Sequence, residues 1–394
     1  MTDGPLKILM LAPTPYFSDR GCHVRIYEEA RAVMQMGQEL RLVTYHIGRD
    51  MGEIPTERII SIPWYNKLTA GPSWHKPYLD ILLLFKALKV ARSFRPHLIH
   101  AHLHEGAFIG IFLKKLLHIP LLFDCQGSLT GEIIDHGFVR RGSLLERVFS
   151  SLERFINLGS DTIITSSTAA ATALTTEWGV PDHLVTPLTD GVNTEDFAPG
   201  DRAAAKRSLG LPADRPVVVF LGLLNRYQGI DLLLEVMEIL KGRGTRVHFL
   251  LMGFPDEKYR AMALERGLAG MITFTGRIDY SKAAEYLAAG DLAVSPKISL
   301  TEANGKLFNY MACSLPCLVF DTPVNREILG DAGVYARYGD PQDFADRLEE
   351  MLADQVGSES LGGRARERAV AEHSWQARGE RLLKIYRQLA AQRS

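Results

Sequence analysis

Cysteine is scarce in this chain: four residues in 394, at Cys22, Cys125, Cys313 and Cys317. Their scatter excludes a disulfide scaffold and predicts reduced thiols in a cytoplasmic protein. Cys313 and Cys317 lack the second pair that a structural zinc site would need, so buried packing is expected for both. No run of about 18 uncharged apolar residues occurs, so no membrane-spanning helix is expected. The N-terminus passes straight into an apolar run, without a signal-peptide pattern. An excess of one charge sign is also missing. The formal net charge of −1 argues against a nucleic-acid partner. No G-x-G-x-x-G follows the first strand of either half, which lowers a dinucleotide-dependent oxidoreductase. No Asp-x-Asp pair is present to hold a catalytic metal.

What is present is apolar material, 46% of residues against 23% charged, enough for two globular cores. Ile8 to Ala12 reads as a strand, Pro13 to Cys22 as a polar loop, Val24 to Met36 as a helix stopped by Gly37, and Leu40 to Tyr45 as a second strand. The same order restarts at Val217 to Leu221, with a loop from Gly222 to Gly229 and a helix over Ile230 to Leu240. Further strands are predicted at Val247 to Met252, Ile272 to Thr275, Leu292 to Ser295 and Cys317 to Phe320. Strands alternating with helices predict an α/β fold of two Rossmann-like, doubly wound parallel-sheet domains. Asp190 to Asp201 is turn-rich and suits their connection. A ligand is expected in the cleft between them, because open parallel sheets bind at the carboxyl ends of their strands.

Residues able to do chemistry collect at those ends. After Ser295, the loop from Pro296 brings Glu302, Ala303, Asn304, Gly305 and Lys306 ahead of a helix over Leu307 to Cys313 that contains Asn309. A polar, glycine-containing loop entering a helix suits an anionic diphosphate, and Lys306 adds a point charge. Glu302 and Asn304 can bond hydroxyls. Gly222 to Gly229 holds the corresponding place in the second half, with Asn225 beside Arg226, a cation suited to phosphate. In the first half Gly21, His23 and Arg25 follow the first strand, where a glycine admits a close ligand. His100, His102 and His104 alternate and would share one face of an ideal strand, which leaves zinc ligation, substrate lining and packing open. Asp124, Gln126, Glu132 and His136 follow the strand Ile119 to Phe123. Loop capping or a solvated helix surface suits many of these residues equally well.

Taken in order, several segments resemble glycosyltransferase family four, the group 1 glycosyl transferases, over nearly the whole chain. They are Leu98-Ile-His-Ala-His102, Asp190-Gly-Val-Asn-Thr-Glu-Asp-Phe197, Phe220-Leu-Gly-Leu-Leu224, Gln228-Gly-Ile-Asp-Leu-Leu-Leu234 and Leu251-Met-Gly253. Thr273-Phe-Thr-Gly-Arg277, Asn309-Tyr-Met-Ala312 with Leu315-Pro316, Asn325-Arg-Glu-Ile-Leu-Gly330 and His373-Ser-Trp375 continue the series. The resemblance implies a retaining, metal-independent hexosyltransferase of GT-B fold. It implies an acceptor domain at 1–195, a donor domain at 196–372, and a final helix at 373–394 crossing back to the first domain. No cofactor is implied beyond a nucleotide sugar as co-substrate, UDP- or GDP-linked. The implied acceptor is a hydroxyl on a glycan, glycolipid or small alcohol, as in polysaccharide biosynthesis.

Donor contacts are then expected from Gly21, Gly222, Asn225, Arg226, Gly253, Arg277, Glu302, Ala303, Asn304, Gly305, Lys306 and Asn309. Acceptor contacts are expected from His23, Arg25, His102, His104, Asp124 and Glu132, and catalysis from Gln126, Arg226, Glu302 and Lys306. Two glutamates that the family places eight positions apart fall on Thr301 and Asn309. The family's diphosphate-loop Arg and Lys fall on Leu223 and Gln228, and its first-domain histidine on Gln126. A non-catalytic nucleotide-sugar-binding protein and a sugar-nucleotide epimerase are the competing functions, the latter needing acid/base carboxylates.

Between Arg58 and Arg154 there are thirteen Lys or Arg against seven Asp or Glu. Asp80 to Arg95 and Phe112 to Leu117 combine these cations with apolar residues. Such helices either pack on their sheet with lysines reaching outward or lie on an anionic bilayer, giving peripheral contact at the inner face of a membrane where lipid-linked acceptors reside.

Overall fold

The computed structural model describes residues 4–18, 21–68, 73–135, 137–298, 300 and 303–391. Its first sheet is parallel and contains β1 (Lys7–Ala12), β2 (Glu39–Thr44), β3 (Thr56–Arg58), β4 (Leu98–His102), β5 (Leu121–Cys125), β6 (Thr162–Thr165) and β7 (Val185–Pro187). Its order is β3-β2-β1-β4-β5-β6-β7. The second, also parallel, contains β8 (Val217–Leu221), β9 (His248–Met252), β10 (Ile272–Gly276), β11 (Leu292–Ser295), β12 (Cys317–Phe320) and β13 (Gly333–Ala336), in the order β10-β9-β8-β11-β12-β13. Helices cover both faces, so β4, β5 and β9 are buried along their whole length. That double burial is why β8, Val217–Leu221, reads as a continuous apolar run, whereas β4 and β5 carry buried polar residues toward their carboxyl ends.

Strand order reverses between β1 and β4 and again between β8 and β11. Those two switch points are where the carboxyl ends splay and leave room for a ligand. The helix after β1 runs over Gly21–Gln35, opening three residues before the predicted start. β5 lies two residues later than predicted and carries Asp124 and Cys125 within it. β4 ends at His102, and His104 belongs to the following helix, Leu103–Leu117, so the three histidines do not share one strand face.

The connecting segment is more than a turn-rich spacer. Val192 bonds through its N–H to His373 O at 2.9 Å and through its carbonyl to Trp375 N–H at 3.1 Å. The two chain crossings between the sheets therefore lie side by side. From there the helix Trp375–Ala391 returns over the first sheet and packs on Gly21–Gln35. Leu382, Tyr386 and Leu389 enter that core, each contributing about 1.5–3 kcal/mol by burial. Tyr386 Oη also pairs with His100 Nδ1 at 2.7 Å. Across the cleft, Tyr280 donates to Glu28 at 3.1 Å, Arg49 to Asp279 at 2.6 Å, and Thr168 to Glu327 at 2.7 Å.

Candidate active site

A cavity of about 360 Å³ opens between the carboxyl ends of the two sheets. Its walls come from the loops after β1, β4, β5, β8 and β11, the places the switch points leave uncovered. On the second-sheet wall, Lys306 is the first residue of the short helix Lys306–Ala312. Its ammonium donates to Gln228 Oε1 at 2.5 Å and to Asn304 Oδ1 at 3.3 Å, and stands 5.2 Å from the centre of the Phe220 ring. A Cβ at residue 222 would meet Lys306 Cε at 3.0 Å, and Gly222 has φ +143°, so glycine is required beside the lysine stem. Gly253 does not line the cavity. It lies behind Gly222, backbone against backbone, where a Cβ would stand 1.8 Å from Gly222 O.

Gly222, Ala303, Gly305 and Asn309 reach the cavity with Lys306. Asn304 is buried beside it and ties the loop down, accepting from Ser295 Oγ at 3.1 Å and donating to Asn325 Oδ1 at 2.8 Å. Asn225 is likewise a local cap, its Oδ1 accepting from Gln228 N–H at 3.0 Å. Arg226 is exposed and outside the cavity lining, in a turn closed by Gly229 N–H on Arg226 O. Arg277 is also outside the lining, stacked 5.3 Å from the centre of the Phe254 ring. Thr301 and Glu302 lie outside the described residues.

The cation that sequence reasoning missed is Lys297. Only 4% exposed, it lines the cavity and donates to Ala303 O at 2.6 Å, bracing the loop that precedes Lys306. Its place two residues beyond the end of β11 was a usable signal. Lys76, another lining residue, had none, since it arrives from the helix Lys76–Phe94 of a separate segment and pairs with Glu105.

The first-sheet wall holds Gly21, Arg25, His104, Gln126 and Glu132. Arg25 is an internal counter-ion as well as a lining residue. Its guanidinium bonds Asp124 at 2.9 Å, Glu29 at 3.0 Å and Asp190 at 2.7 Å, and donates to Leu188 O at 3.0 Å. Burial works against this charge, yet the three carboxylates outweigh it and raise the arginine well above its ordinary range. Asp124, fully buried, also accepts from His102 Nδ1–H at 2.9 Å and from the Gln126 amide N–H at 2.6 Å. Burial alone would raise this carboxyl, but Arg25 and the histidine bond hold it below the ordinary carboxylate range. Asp124 therefore orients Gln126 toward the cavity without lining it.

His23 is buried behind the first loop. Its Nδ1 accepts from Ser18 N–H at 2.9 Å, and Nε2 pairs with Thr14 Oγ1 at 2.6 Å, so it orders Thr14–Ser18 and stays out of the cavity lining. His102 is enclosed, and burial holds its imidazole below the usual range. His104 does reach the cavity, and burial lowers it in the same way, so a neutral ring is presented there. Glu29, His100, His102 and Asp124 bring ligand-type atoms within 4.8 Å of one another. The Arg25 guanidinium already supplies the cation between the two carboxylates. His104 stands apart, facing Glu153 at 3.6 Å.

Comparison with known proteins agrees with the two-domain parallel-sheet fold. Residues 201–368 match the family model for glycosyl transferases group 1, and residues 20–191 match that for the glycosyl transferase 4-like domain. A D-inositol 3-phosphate glycosyltransferase of Thermobispora bispora is 25% identical over 390 residues, spanning 93% of this chain and 89% of its own. The sucrose-phosphate synthase structure from Thermosynechococcus elongatus superposes with a TM-score of 0.83 at 21% identity, covering 98% of this chain and 99% of the other. Anabaena Alr3699/HepE in complex with UDP-glucose gives 0.79 at 17% identity, covering 97% and 100%.

Proposed function

Because the chain belongs to the group 1 glycosyl transferases and is a glycosyltransferase in consequence, we propose that it transfers a hexose, with retention, from a nucleoside diphosphate sugar to a hydroxyl acceptor. Residues 1–195 hold the acceptor, 196–372 hold the donor, and 373–394 tie the final helix to the acceptor domain. The observation that supports this best is a single cavity with Lys306 and Lys297 on one wall and Gln126, neutral His104 and Glu132 on the other.

Breaking the sugar–diphosphate bond places new negative charge on the leaving oxygen. Positioned ammonium groups that need no reorganisation stabilise that charge where it develops. The acceptor oxygen bonds the anomeric carbon from the face the diphosphate leaves, and the hydroxyl proton passes to the departing diphosphate oxygen. Chemistry of this kind asks for positioning and charge neutralisation, not for a strong protein base. Gln126, held by Asp124 at 2.6 Å, is placed to bond the transferred sugar. Asn309, where a glutamate falls in the family, can bond a ribose hydroxyl.

The donor wall carries its own cations, which supports a metal-independent reaction. UDP-sugars are the first donors to test, since a similar structure holds UDP-glucose, with GDP-sugars next. The acceptor, free or lipid-linked, enters from the side of Gln126 and Glu132. The few, scattered cysteines support a reducing, cytoplasmic setting.

The experiment is incubation with UDP-, GDP- and ADP-sugars without acceptor, followed by NMR of the released sugar. Slow hydrolysis of one donor with its anomeric configuration kept is the expected result. A nucleotide sugar at about a hundred times its Kd should also stabilise the fold by about 2.7 kcal/mol. Absence of both effects with every donor would reject the proposal.

A further inference from the structure

The helix Leu144–Gly159 has two faces with different work. Its inner face buries Ile156, Asn157 and Glu153. The Glu153 carboxylate accepts from Thr130 N–H at 2.8 Å, Leu129 N–H at 3.2 Å and Ser128 Oγ at 3.2 Å, and so fastens the loop whose Ser128 and Leu129 line the cavity. The outer face is apolar and uncovered: Leu144 is 79% exposed and Val148 60%, with Phe155 and Leu158 following at helical spacing and exposed Leu145 at its edge.

This stripe does not stand alone. The Phe108 ring lies 5.0 Å from Phe112 and 6.4 Å from Phe155, so the neighbouring helix Leu103–Leu117 continues the apolar face with exposed Phe112 and Leu116. In the same domain Trp74, 85% exposed, meets Phe138 in a tilted ring pair at 5.9 Å. Trp74 precedes the cavity residue Lys76 by two positions, so apolar surface also stands beside the cavity rim. Arg140, Arg141, Arg147 and Lys115 are exposed around this face.

Contiguous exposed apolar surface of this kind marks an interaction site. Among the described residues no helix is long and apolar enough to cross a membrane, so contact would be peripheral. The sequence pattern directed attention to Asp80–Arg95 and Phe112–Leu117; the second contributes Phe112 and Leu116 here, but in the helix Lys76–Phe94 Leu79, Leu83, Ala87 and Val90 face inward and only Ile81 and Phe85 add large exposed apolar groups.

We infer that the outer face of Leu144–Gly159, with Phe112, Leu116, Trp74 and Phe138, docks on an anionic lipid bilayer and sets the cavity mouth against the membrane, so that the acceptor is a lipid-linked hydroxyl. The acceptor part rests on the proposed function. Apolar side chains ringed by cations match the interface of an anionic bilayer, where each adds favourably. A second copy of the same basic face would meet like charge instead.

The test is flotation of the full chain with phosphatidylcholine vesicles, with and without phosphatidylglycerol, at low and high salt. The protein should float with the anionic vesicles alone and release at high salt, where surface charges are screened. Leu144→Glu with Val148→Glu, at exposed positions that spare the core, should weaken binding by about tenfold or more while nucleotide-sugar stabilisation is kept. Arg141→Ser with Arg147→Ser should lower binding and its salt response together. A wild type left at the bottom, or a Leu144→Glu/Val148→Glu variant that floats equally, overturns the docking surface. A wild-type dimer that this variant splits, without vesicle binding, overturns it in favour of a second copy. Flotation with no nucleotide-sugar stabilisation supports the surface and overturns the acceptor assignment.

Discussion

Replacing Lys306 by alanine removes the ammonium that Gln228 and Asn304 hold over the Gly222 backbone at the cavity wall. At an effective dielectric of about 20, a unit charge about 4 Å from a phosphate oxygen interacts by about 4 kcal/mol. Part of that attraction is already present in the bound donor, and Lys297 stays on the same wall after the substitution. The share specific to the transition state is then about 3 kcal/mol, a loss of about a hundredfold in kcat. Initial rates at several donor concentrations separate kcat from KM. Lys306→Met keeps an apolar stem against Phe220 and removes only the charge, so it should lose as much as alanine, whereas Lys306→Arg should recover part of the rate. Turnover within about threefold of wild type in both uncharged variants, with unchanged folding, would refute the assignment of Lys306 to the leaving diphosphate.

Gly253→Ala would drive a Cβ into Gly222 O, since the two would stand 1.8 Å apart. A destabilisation of about 3 kcal/mol and a raised donor KM are expected, and an unchanged denaturation midpoint would contradict the packing described. Arg226→Ala should leave turnover near normal, because the exposed side chain is outside the cavity lining. A large loss of kcat would show that this loop rearranges around the donor. Burial pushes the Glu28 carboxyl up to about 7 from 4.5, against the pull of Arg31 and the Tyr280 bond. The native state thus binds the proton more tightly than the unfolded chain. This contribution to stability is complete below pH 4.5 and is lost as pH rises through about 7. Glu28→Gln should flatten the fall in Tm across that window, and an unaltered pH profile would remove Glu28 from it.

Much of the fold was legible because doubly covered parallel strands must be apolar along their length. Val217–Leu221, Leu292–Ser295 and Cys317–Phe320 coincide with the predicted runs, whereas the strand order that creates the two switch points came from the structure. The site was legible only as a location. Gly222, Gly305, Lys306 and Asn309 reach the cavity because their loops leave the carboxyl ends of β8 and β11. Arg226, after β8, and Arg277, after β10, also follow strand ends but do not line it, Arg226 being exposed and Arg277 lying over the Phe254 ring.

Sequence by itself determined the longer central strands and that they build two Rossmann-like sheets, because burial and periodicity are local properties of the chain, while β3, β6, β7 and β13 were not read from it. Tertiary structure decided what each polar residue does. Arg25, Asp124 and His23 looked like ligand-binding groups. Arg25 meets partners 99 and 165 positions away, and such long-range pairing turned it and Asp124 into a buried charge network, while His23 became the fastening of a loop. The outward stripe of Leu144–Gly159 was decided the same way. A helix shows which residues lie on one face, but only its neighbours determine which face remains uncovered.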